Sequence, residues 1–387
     1  MGVSRRRRRG GLGLAGLAAA LLVVSTGPST AATPWQADPL RRHVEAIHDT
    51  GVVGVSAEVT SRHTRDRARA GTARRDTAGP MPRDGSFRIG SATKTFTAAV
   101  VLQLVGEGRM SLDDTVEQWL PGVLRGTAAD GRLISVRQLL QHTSGVPDVQ
   151  PEIPALNSAA GYRAQRTRSY TPEELVRLAV RQSPPAAAER DWSYSNTNYV
   201  LAAMIIRQVT GHSWAQEVDR RIIRPLGLGE TFAPGPSTSV PDPHARSYSS
   251  FGTGTGIGID VTVLDPGMAV GSGSLISTTH DLSRFYSALL GGRLLAPAQL
   301  EEMTTTVSAP GLGMPGVRYG LGLGELPLPC GGTYFGHPGE LLGYRSWSGV
   351  TADGARTAVV YATSEGGPDT GPALSTLVGE ELCRSRP

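Results

Sequence analysis

Segments with the pattern of β-strands lie near both ends of this 387-residue chain, and helical segments and loops fill the stretch between them. The strand-like runs are 51–60, 86–90, 319–326, 333–337, 344–350 and 355–364. The economical arrangement is one sheet that takes strands from both chain ends. We therefore predict an α/β (α+β) fold, with a sheet domain made of residues 33–109 and 266–387 and a mostly helical inserted domain at 110–265.

The first 32 residues have the order of a secretory signal peptide. Arg5 to Arg9 precede an apolar run at 12–24, and small residues follow at 29–32. That run is shorter than the ~20 residues that span a bilayer. Cleavage near Ala32 would remove five arginines and no acid, so the net charge would fall from +4 to −1 (4 − 5). We expect a secreted protein that does not bind nucleic acid, and Ser4 to Arg6 leave a twin-arginine export route open.

Cys330 and Cys383 are the two cysteines of the chain. An even pair in an exported protein favours a disulfide, because that compartment is oxidising. Two separate buried thiols are the alternative.

A serine and a lysine stand three positions apart in SATK (91–94), and Lys94 is the only lysine in the chain. A strand, a glycine and then a helical pattern place Ser91 at the start of a helix, where i and i+3 share a face. A neutral lysine can take the serine proton, whereas arginine stays protonated. The pattern indicates a nucleophile and its base, with ordinary surface charge on Lys94 as the alternative.

Tyr194-Ser195-Asn196 precede an apolar helix, where a loop can present side chains to a cleft. A tyrosine can relay protons if a nearby cation lowers its pKa, and an asparagine can hold a substrate amide. The alternative is that Asn196 or Thr197 only caps the helix.

His337-Pro338-Gly339 end a strand-like run. Glycine lets a substrate approach the backbone, and a proline without a ladder N–H predicts a sheet edge. A solvent histidine in a turn is the alternative.

Three other motifs do not indicate a site. GHSWA (211–215) resembles a nucleophile elbow but follows a helix, and Ser213 with Gln216 predicts a capping box. The glycine-rich run 251–258 lacks dinucleotide-binding spacing. His142 has no metal-ligand partner at a useful spacing, so we expect a structural role for it.

Taken together and in this order, SATK, YSN and HPG resemble the three motifs of the serine penicillin-recognising enzymes. This family contains class C β-lactamases, D-alanyl-D-alanine carboxypeptidases, D-aminopeptidases and related esterases. The resemblance covers nearly the whole mature chain and is greatest to the secreted carboxypeptidases, where the cysteine pair recurs. It implies an antiparallel sheet flanked by helices, with an inserted helical domain.

The resemblance also implies roles for the four predicted catalytic residues. Ser91 is the acylated nucleophile, and Lys94 is its base. Tyr194 passes a proton to the leaving amine and helps to activate the deacylating water. His337 stands where many relatives have the lysine of K-T-G. No metal or organic cofactor is implied.

The implied substrate-binding residues are Asn196, Gly339 and Glu340. Asn196 holds the amide of the acyl side chain, and the backbone N–H groups of Ser91 and Glu340 form the oxyanion hole.

Two positions depart from the carboxypeptidase pattern. An arginine and a threonine hold the substrate carboxylate there, and this chain has Gly324 and Glu340 instead. A carboxylate beside a substrate carboxylate would repel it by about 1 kcal/mol or more. Arg345 on the next strand is a possible replacement.

We expect an exported serine hydrolase that acts through an acyl-enzyme on peptide, amide or ester substrates, with D-alanyl peptides of peptidoglycan as the leading class and β-lactams as possible ligands. The alternatives are an esterase or D-aminopeptidase of the same fold, and a penicillin-binding sensor that is acylated without turnover. β-Lactamase action is less favoured, because the penicillin carboxylate would lack its partners. A monomer is expected.

Overall fold

The computed structural model describes residue 2 and residues 38–125, 129–181, 192–253 and 258–384. The predicted signal peptide, apart from Gly2, lies outside the described residues. From Asp38 onward the described chain packs as one compact unit. No helix in these ranges is long and apolar enough to cross a membrane.

The strands of the described residues lie mostly at the two ends of the chain, with β4 and β5 between them. They are β1 Gly54–Thr60, β2 Arg65–Gly71, β3 Phe87–Arg88, β4 Tyr248–Ser249, β5 Ile259–Asp260, β6 Ile276–Ser277, β7 Val307–Ser308, β8 Arg318–Tyr319, β9 Gly324–Pro327, β10 Thr333–Leu341, β11 Tyr344–Thr351 and β12 Thr357–Ala362.

The helices fill the middle of the chain and both of its flanks. They are α1 Pro39–Asp49, α2 Thr93–Gly106, α3 Val116–Trp119, α4 Val136–Gln141, α5 Pro154–Asn157, α6 Ala159–Gln165, α7 Pro172–Val180, α8 Asn196–Thr210, α9 Trp214–Val218, α10 Arg224–Leu226, α11 Thr279–Leu290, α12 Pro297–Thr304 and α13 Thr370–Cys383.

Eight strands form one sheet in the order β2-β1-β12-β11-β10-β9-β8-β7, and each neighbouring pair is antiparallel. β1 from the start of the chain pairs with β12 from its end. This confirms the predicted sheet built from both chain ends. The boundaries of the predicted helical insert stay a prediction, although α3 to α10 lie within it.

The sheet is covered on both faces, and this explains why β12 is buried at every position. Successive side chains of a strand point to opposite faces. Val359 and Tyr361 belong to the core that contains α2 and α11. Ala358 and Val360 belong to the core that contains α1 and α13.

Helix α2 lies in the interior of the protein. Its residues from Thr93 to Leu102 are all buried, because it packs against α8, α9 and α12 and the 3₁₀ turn before it contacts β10 and β11. A helix that is apolar all round is typical of such a position. The short 3₁₀ turn Gly90–Ala92, which precedes α2, therefore lies where the sheet meets the helices.

Strand β10 differs from the prediction. It continues to Leu341, whereas the sequence indicated an end at His337. Proline is tolerated because the pairing with β9 ends at Gly336, so Pro338 has a partner strand on the β11 side only. The predicted sheet edge thus exists for the second half of β10 and not for the first.

The sequence was right about the GHSWA motif. Ser213 accepts a hydrogen bond from the backbone of Gln216 and the Gln216 side chain reaches back, so the pair forms a capping box at the start of α9. A π-helical segment at Asp219–Ile223 follows α9 directly and leads into α10.

Cys330 and Cys383 are joined by a disulfide, as predicted. The bond ties the loop between β9 and β10 to the last residue of α13. Both ends of the crosslink lie far from one another in sequence, with a separation of 53.

We expect that changing both cysteines to serine lowers the free energy of unfolding by about 4 kcal/mol, because the crosslink restricts the unfolded chain. Thermal unfolding in non-reducing buffer would measure the effect. Dithiothreitol should lower the midpoint of the wild-type protein and leave that of the double variant unchanged. Equal midpoints for the two proteins without reductant would contradict the expectation.

Candidate active site

Ser91 lies in the short turn that joins β3 to α2 and lines a cleft of about 590 Å³. The glycine before it has a φ of +50°. A Cβ on Gly90 would lie 2.6 Å from the backbone nitrogen of Glu340, so only glycine allows β10 to come this close to the serine. The sequence prediction of a strand, a glycine and a helix is confirmed here.

Lys94 is fully buried beneath Ser91, on the first turn of α2. Its Nζ donates hydrogen bonds to Ser91 Oγ at 3.0 Å, to Asn196 Oδ1 at 2.7 Å and to the carbonyl of Ser272 at 2.8 Å. Burial lowers the pKa of Lys94 to about 7, against the opposing charge of Asp148. The amine can therefore give up its proton near neutral pH, which is the property that an arginine lacks.

Tyr194 lines the cleft next to Ser91, and its hydroxyl is hydrogen-bonded to that serine. Lys94 Nζ lies 4.8 Å from the centre of its ring. Burial raises the pKa of Tyr194 well above its usual range, and the bond to Ser91 offsets only part of this. From the sequence we predicted a cation that lowers this pKa, and that prediction is wrong. Tyr194 is a neutral phenol, which can still pass a proton on.

His337 is buried in the cleft wall, with its ring 6.4 Å from that of Tyr194. Its Nδ1 lies 2.5 Å from the carbonyl of Pro338, and its Nε2 lies 2.8 Å from Tyr319 Oη. A carbonyl only accepts, so Nδ1 carries the proton and Nε2 accepts from the tyrosine. Burial lowers the pKa of His337 to about 3, helped by the charge of Lys94. A neutral ring with both nitrogens engaged does not replace the cation of a K-T-G lysine.

Asn196 begins α8, and both ends of its amide have partners within the protein. Its oxygen accepts from Lys94, while its Nδ2 donates to the carboxylate of Asp148 at 3.1 and 3.2 Å and to Gln150 Oε1 at 3.2 Å. The side chain does not cap α8, for which Ser195 is the N-cap residue without a side-chain bond. The capping alternative is therefore wrong, and the predicted substrate contact of Asn196 stays a prediction.

The second half of β10 forms one wall of the cleft. A Cβ on Gly339 would lie 2.1 Å from the carbonyl oxygen of Ile89, so this wall touches the turn that carries Ser91. The backbone nitrogen of Glu340 lies against Gly90. The two N–H groups predicted for the oxyanion hole thus belong to backbone segments in contact, and their role stays a prediction.

Charged side chains lie at the open end of this wall. Glu340 is 63% exposed, and its Oε2 lies 3.6 Å from Nε of Arg345, the residue opposite it on β11. Arg345 also donates to the carbonyl of Glu365, and all three residues line the cleft. Gly324 is different, because it is buried in β9 opposite Gly336 and is not part of the lining.

The sequence analysis missed several residues that hold the site together. Asp148 fixes Asn196, the Ser272 carbonyl holds Lys94, and Tyr319 holds His337. His142 was expected to be structural, and its ring lies 4.3 Å from that of Tyr194. Asp148 and Ser272 lie outside helices and strands, whereas Tyr319 lies in β8, and none of the three stands beside one of the three motifs in the sequence. Within the described ranges, no group of three or more His, Cys, Asp or Glu side chains could hold a metal.

Comparisons with known proteins identify a family and several relatives. Residues 40–382 match the family described as Beta-lactamase. Penicillin-binding protein 4* of Bacillus subtilis is 27% identical over 74% of this chain and 62% of its own length. Esterase EstB of Burkholderia gladioli is 32% identical over 48% of each chain. The chain thus spans less than two thirds of the length of these curated relatives.

Two solved structures cover nearly the whole described fold. The D-stereospecific amidohydrolase of a Streptomyces species is 39% identical over 90% of this chain and 98% of its own, with a TM-score of 0.81. The D-amino acid amidase of Ochrobactrum anthropi SV3, solved with D-phenylalanine, is 28% identical over 90% and 98%, with a TM-score of 0.77. The chain belongs to the β-lactamase family and has the fold of its serine hydrolases.

Proposed function

We propose that the protein is an exported serine hydrolase that forms an acyl-enzyme on Ser91 and cleaves amide bonds of D-amino-acid derivatives. The observation that carries the proposal is the buried amine of Lys94, 3.0 Å from Ser91 Oγ and with a pKa near 7. The likeness to a D-stereospecific amidohydrolase supports the substrate class. Export rests on the pattern of residues 5–32 alone.

In the acylation step, Ser91 Oγ attacks the carbonyl carbon of the amide while the neutral Lys94 takes the hydroxyl proton. The carbonyl oxygen becomes negatively charged, and the backbone N–H groups of Ser91 and Glu340 stabilise it. The bond between carbon and nitrogen then breaks. Tyr194 gives its proton to the leaving amine and recovers one from the ammonium of Lys94.

Deacylation uses the same groups with water in place of the amine. Water attacks the acyl carbon, and its proton passes through Tyr194 to Lys94. Ser91 Oγ then leaves and takes a proton from the Lys94 ammonium, which returns the lysine to its neutral form. The net reaction converts an amide and water into a carboxylic acid and an amine. A neutral Tyr194 suits this relay, because its hydroxyl can donate and accept in the same step.

The charges at the cleft distinguish the substrate classes. Glu340 is exposed and in loose contact with a single arginine, so it can receive the ammonium group of a D-amino-acid amide. A carboxypeptidase substrate instead brings a carboxylate, which Glu340 would repel. We therefore favour the D-aminopeptidase and amidase alternative over D-alanyl-D-alanine carboxypeptidase action.

One observation supports the carboxypeptidase alternative. Arg345 lines the cleft and is 27% exposed, so it can meet a substrate carboxylate if Glu340 turns away. The likeness to penicillin-binding protein 4* accords with this alternative, and that to EstB accords with an esterase. A penicillin-binding sensor would be acylated without turnover. Whether the protein is a monomer stays a prediction.

We expect Ser91→Ala and Lys94→Arg to lower kcat/KM at least about 1000-fold, since nucleophile and base act as one unit. The arginine variant keeps the charge and loses the exchangeable proton. Ser213→Ala, which removes only a helix cap, is the matched control and should keep its activity. Hydrolysis of a D-amino-acid amide, a D-alanyl-D-alanine peptide and a p-nitrophenyl ester would be measured. An active Ser91→Ala would refute the acyl-enzyme, and labelling without turnover would favour the sensor.

The activity should rise with pH and level off above about 7, because the reactive form of Lys94 is the deprotonated one and its pKa lies near 7. The measurement is kcat/KM from pH 5.5 to 9 on an uncharged ester, which excludes titration of the substrate. A flat profile over this range would contradict a lysine base.

Glu340→Gln should raise KM about fivefold for a D-amino-acid amide with a free amine, which corresponds to about 1 kcal/mol for an exposed ion pair. The same variant should leave KM for the N-acetylated amide unchanged. This matched substrate pair isolates the ammonium contact. Equal effects on both substrates would show that Glu340 does not recognise the amine. Faster turnover of the D-alanyl-D-alanine peptide than of the amide by the wild-type protein would favour the carboxypeptidase.

A further inference from the structure

His142 has a backbone conformation that is uncommon for a residue with a side chain. It ends α4 in the left-handed region, with a φ of 62°, and it is fully buried. Non-glycine residues in this region are often found at functional sites, where the surrounding structure holds them in place. The contacts of His142 lead to the tyrosine of the candidate site.

Two acceptors of His142 hold the backbone on both sides of Tyr194. The carbonyl oxygen of His142 accepts the N–H of Ser193 at 3.0 Å. Its ring Nδ1 accepts the N–H of Ser195 at 3.1 Å. The residue that carries the phenol is thus fixed at its preceding and following neighbours by one histidine.

The imidazole ring also packs on the side chain of Tyr194. The ring centres are 4.3 Å apart and the planes are tilted by 32°. On its other side the imidazole lies 5.0 Å from the ring of Tyr319, which holds His337. The orientation of the phenol therefore depends on the imidazole as well as on the backbone.

The hydrogen bonds define the state of His142. A backbone N–H can only donate, so Nδ1 accepts and the ring proton sits on Nε2. Asn198 Nδ2, 3.3 Å away, also faces Nδ1. Nε2 is buried without a hydrogen-bond partner in the described chain. Burial, and then the positive charge of protonated Lys94, lower the pKa of His142 well below its ordinary value, so the ring stays neutral and does not act as the base.

We propose that His142 is a positioning residue that holds the phenol of Tyr194 against Ser91, in the place where it can protonate the leaving group. We call the contacts of His142 with Ser193, Tyr194 and Ser195 the His142 clamp. The role of Tyr194 rests on the proposed function, whereas the clamp rests on these contacts alone. A purely structural histidine would support the folded state without any preference among substrates.

The nature of the leaving group separates these two roles. An amide needs a proton on its nitrogen before the bond breaks, whereas p-nitrophenolate leaves without one. Loss of the clamp should therefore slow acylation by the amide and spare acylation by the ester. We compare kcat/KM, which reports acylation and excludes the deacylation step in which Tyr194 also takes part. A loss of folded protein or a general disturbance of Ser91 would slow both.

The test compares His142→Ala with His142→Asn, on an amide and a p-nitrophenyl ester of the same D-amino acid. Asparagine has an acceptor oxygen near the place of Nδ1 and tolerates the left-handed conformation. We expect the alanine variant to lose about 30-fold in kcat/KM on the amide through kcat, with KM little changed, and less than about threefold in kcat/KM on the ester. The asparagine variant should keep most of the amide activity. Equal losses on both substrates would overturn the proposal.

Tyr194→Phe provides the second comparison. If His142 acts through the phenol, the double variant should be no slower on the amide than Tyr194→Phe alone, because the two residues act as one unit. If the losses of the two single variants multiply in the double variant, His142 acts through a group other than the phenol of Tyr194.

Hydrogen exchange of residues 192–199 tests the clamp without any activity. It should be faster in His142→Ala than in the wild-type protein while the thermal midpoint stays well above the assay temperature, and unchanged exchange would overturn the proposal. Wild-type protein that hydrolyses neither substrate would refute the proposed function and leave this readout intact.

Discussion

The site depends on how the protein buries the amine of Lys94 without placing an acid against it. Three neutral oxygens accept its hydrogen bonds: Ser91 Oγ in the turn after β3, Asn196 Oδ1 at the start of α8 and the carbonyl of Ser272 between β5 and β6. Asp148 is kept one step away, because the amide of Asn196 lies between the carboxylate and the lysine. Desolvation therefore outweighs the attraction of the acid, and the lysine can lose its proton. A carboxylate in direct contact would hold the proton on the amine.

This arrangement requires the sheet and the helices to meet closely at one point. Gly90 and Gly339 have no side chains where β10 crosses the turn of Ser91, and any Cβ there would collide with backbone atoms. The same contact brings the wall of the cleft to the nucleophile. The second half of β10, which pairs with β11 only, lines the cleft, while its first half also pairs with β9. One strand thus serves as part of the core and as the edge of the site.

Much of this could be predicted from the residues, because the relevant signals are local. The spacing of Ser91 and Lys94 fixes their shared helix face, and two cysteines in a chain with a predicted export signal indicate a disulfide. The supporting residues could not be found in this way. The cross-strand contact of Glu340 with Arg345 depends on the hairpin register, and the rise in the pKa of Tyr194 depends on burial that only packing creates.

The use of one lysine in the whole chain has a practical consequence for chemical labelling. Reagents that modify primary amines find no exposed lysine on the surface, because the single side-chain amine is enclosed and the other basic side chains are guanidinium and imidazole groups. Apart from the amino terminus, acylation or carbamylation of the folded protein must therefore report entry of the reagent to the interior. A mass shift of the tryptic fragment that carries this lysine would measure how often the site opens.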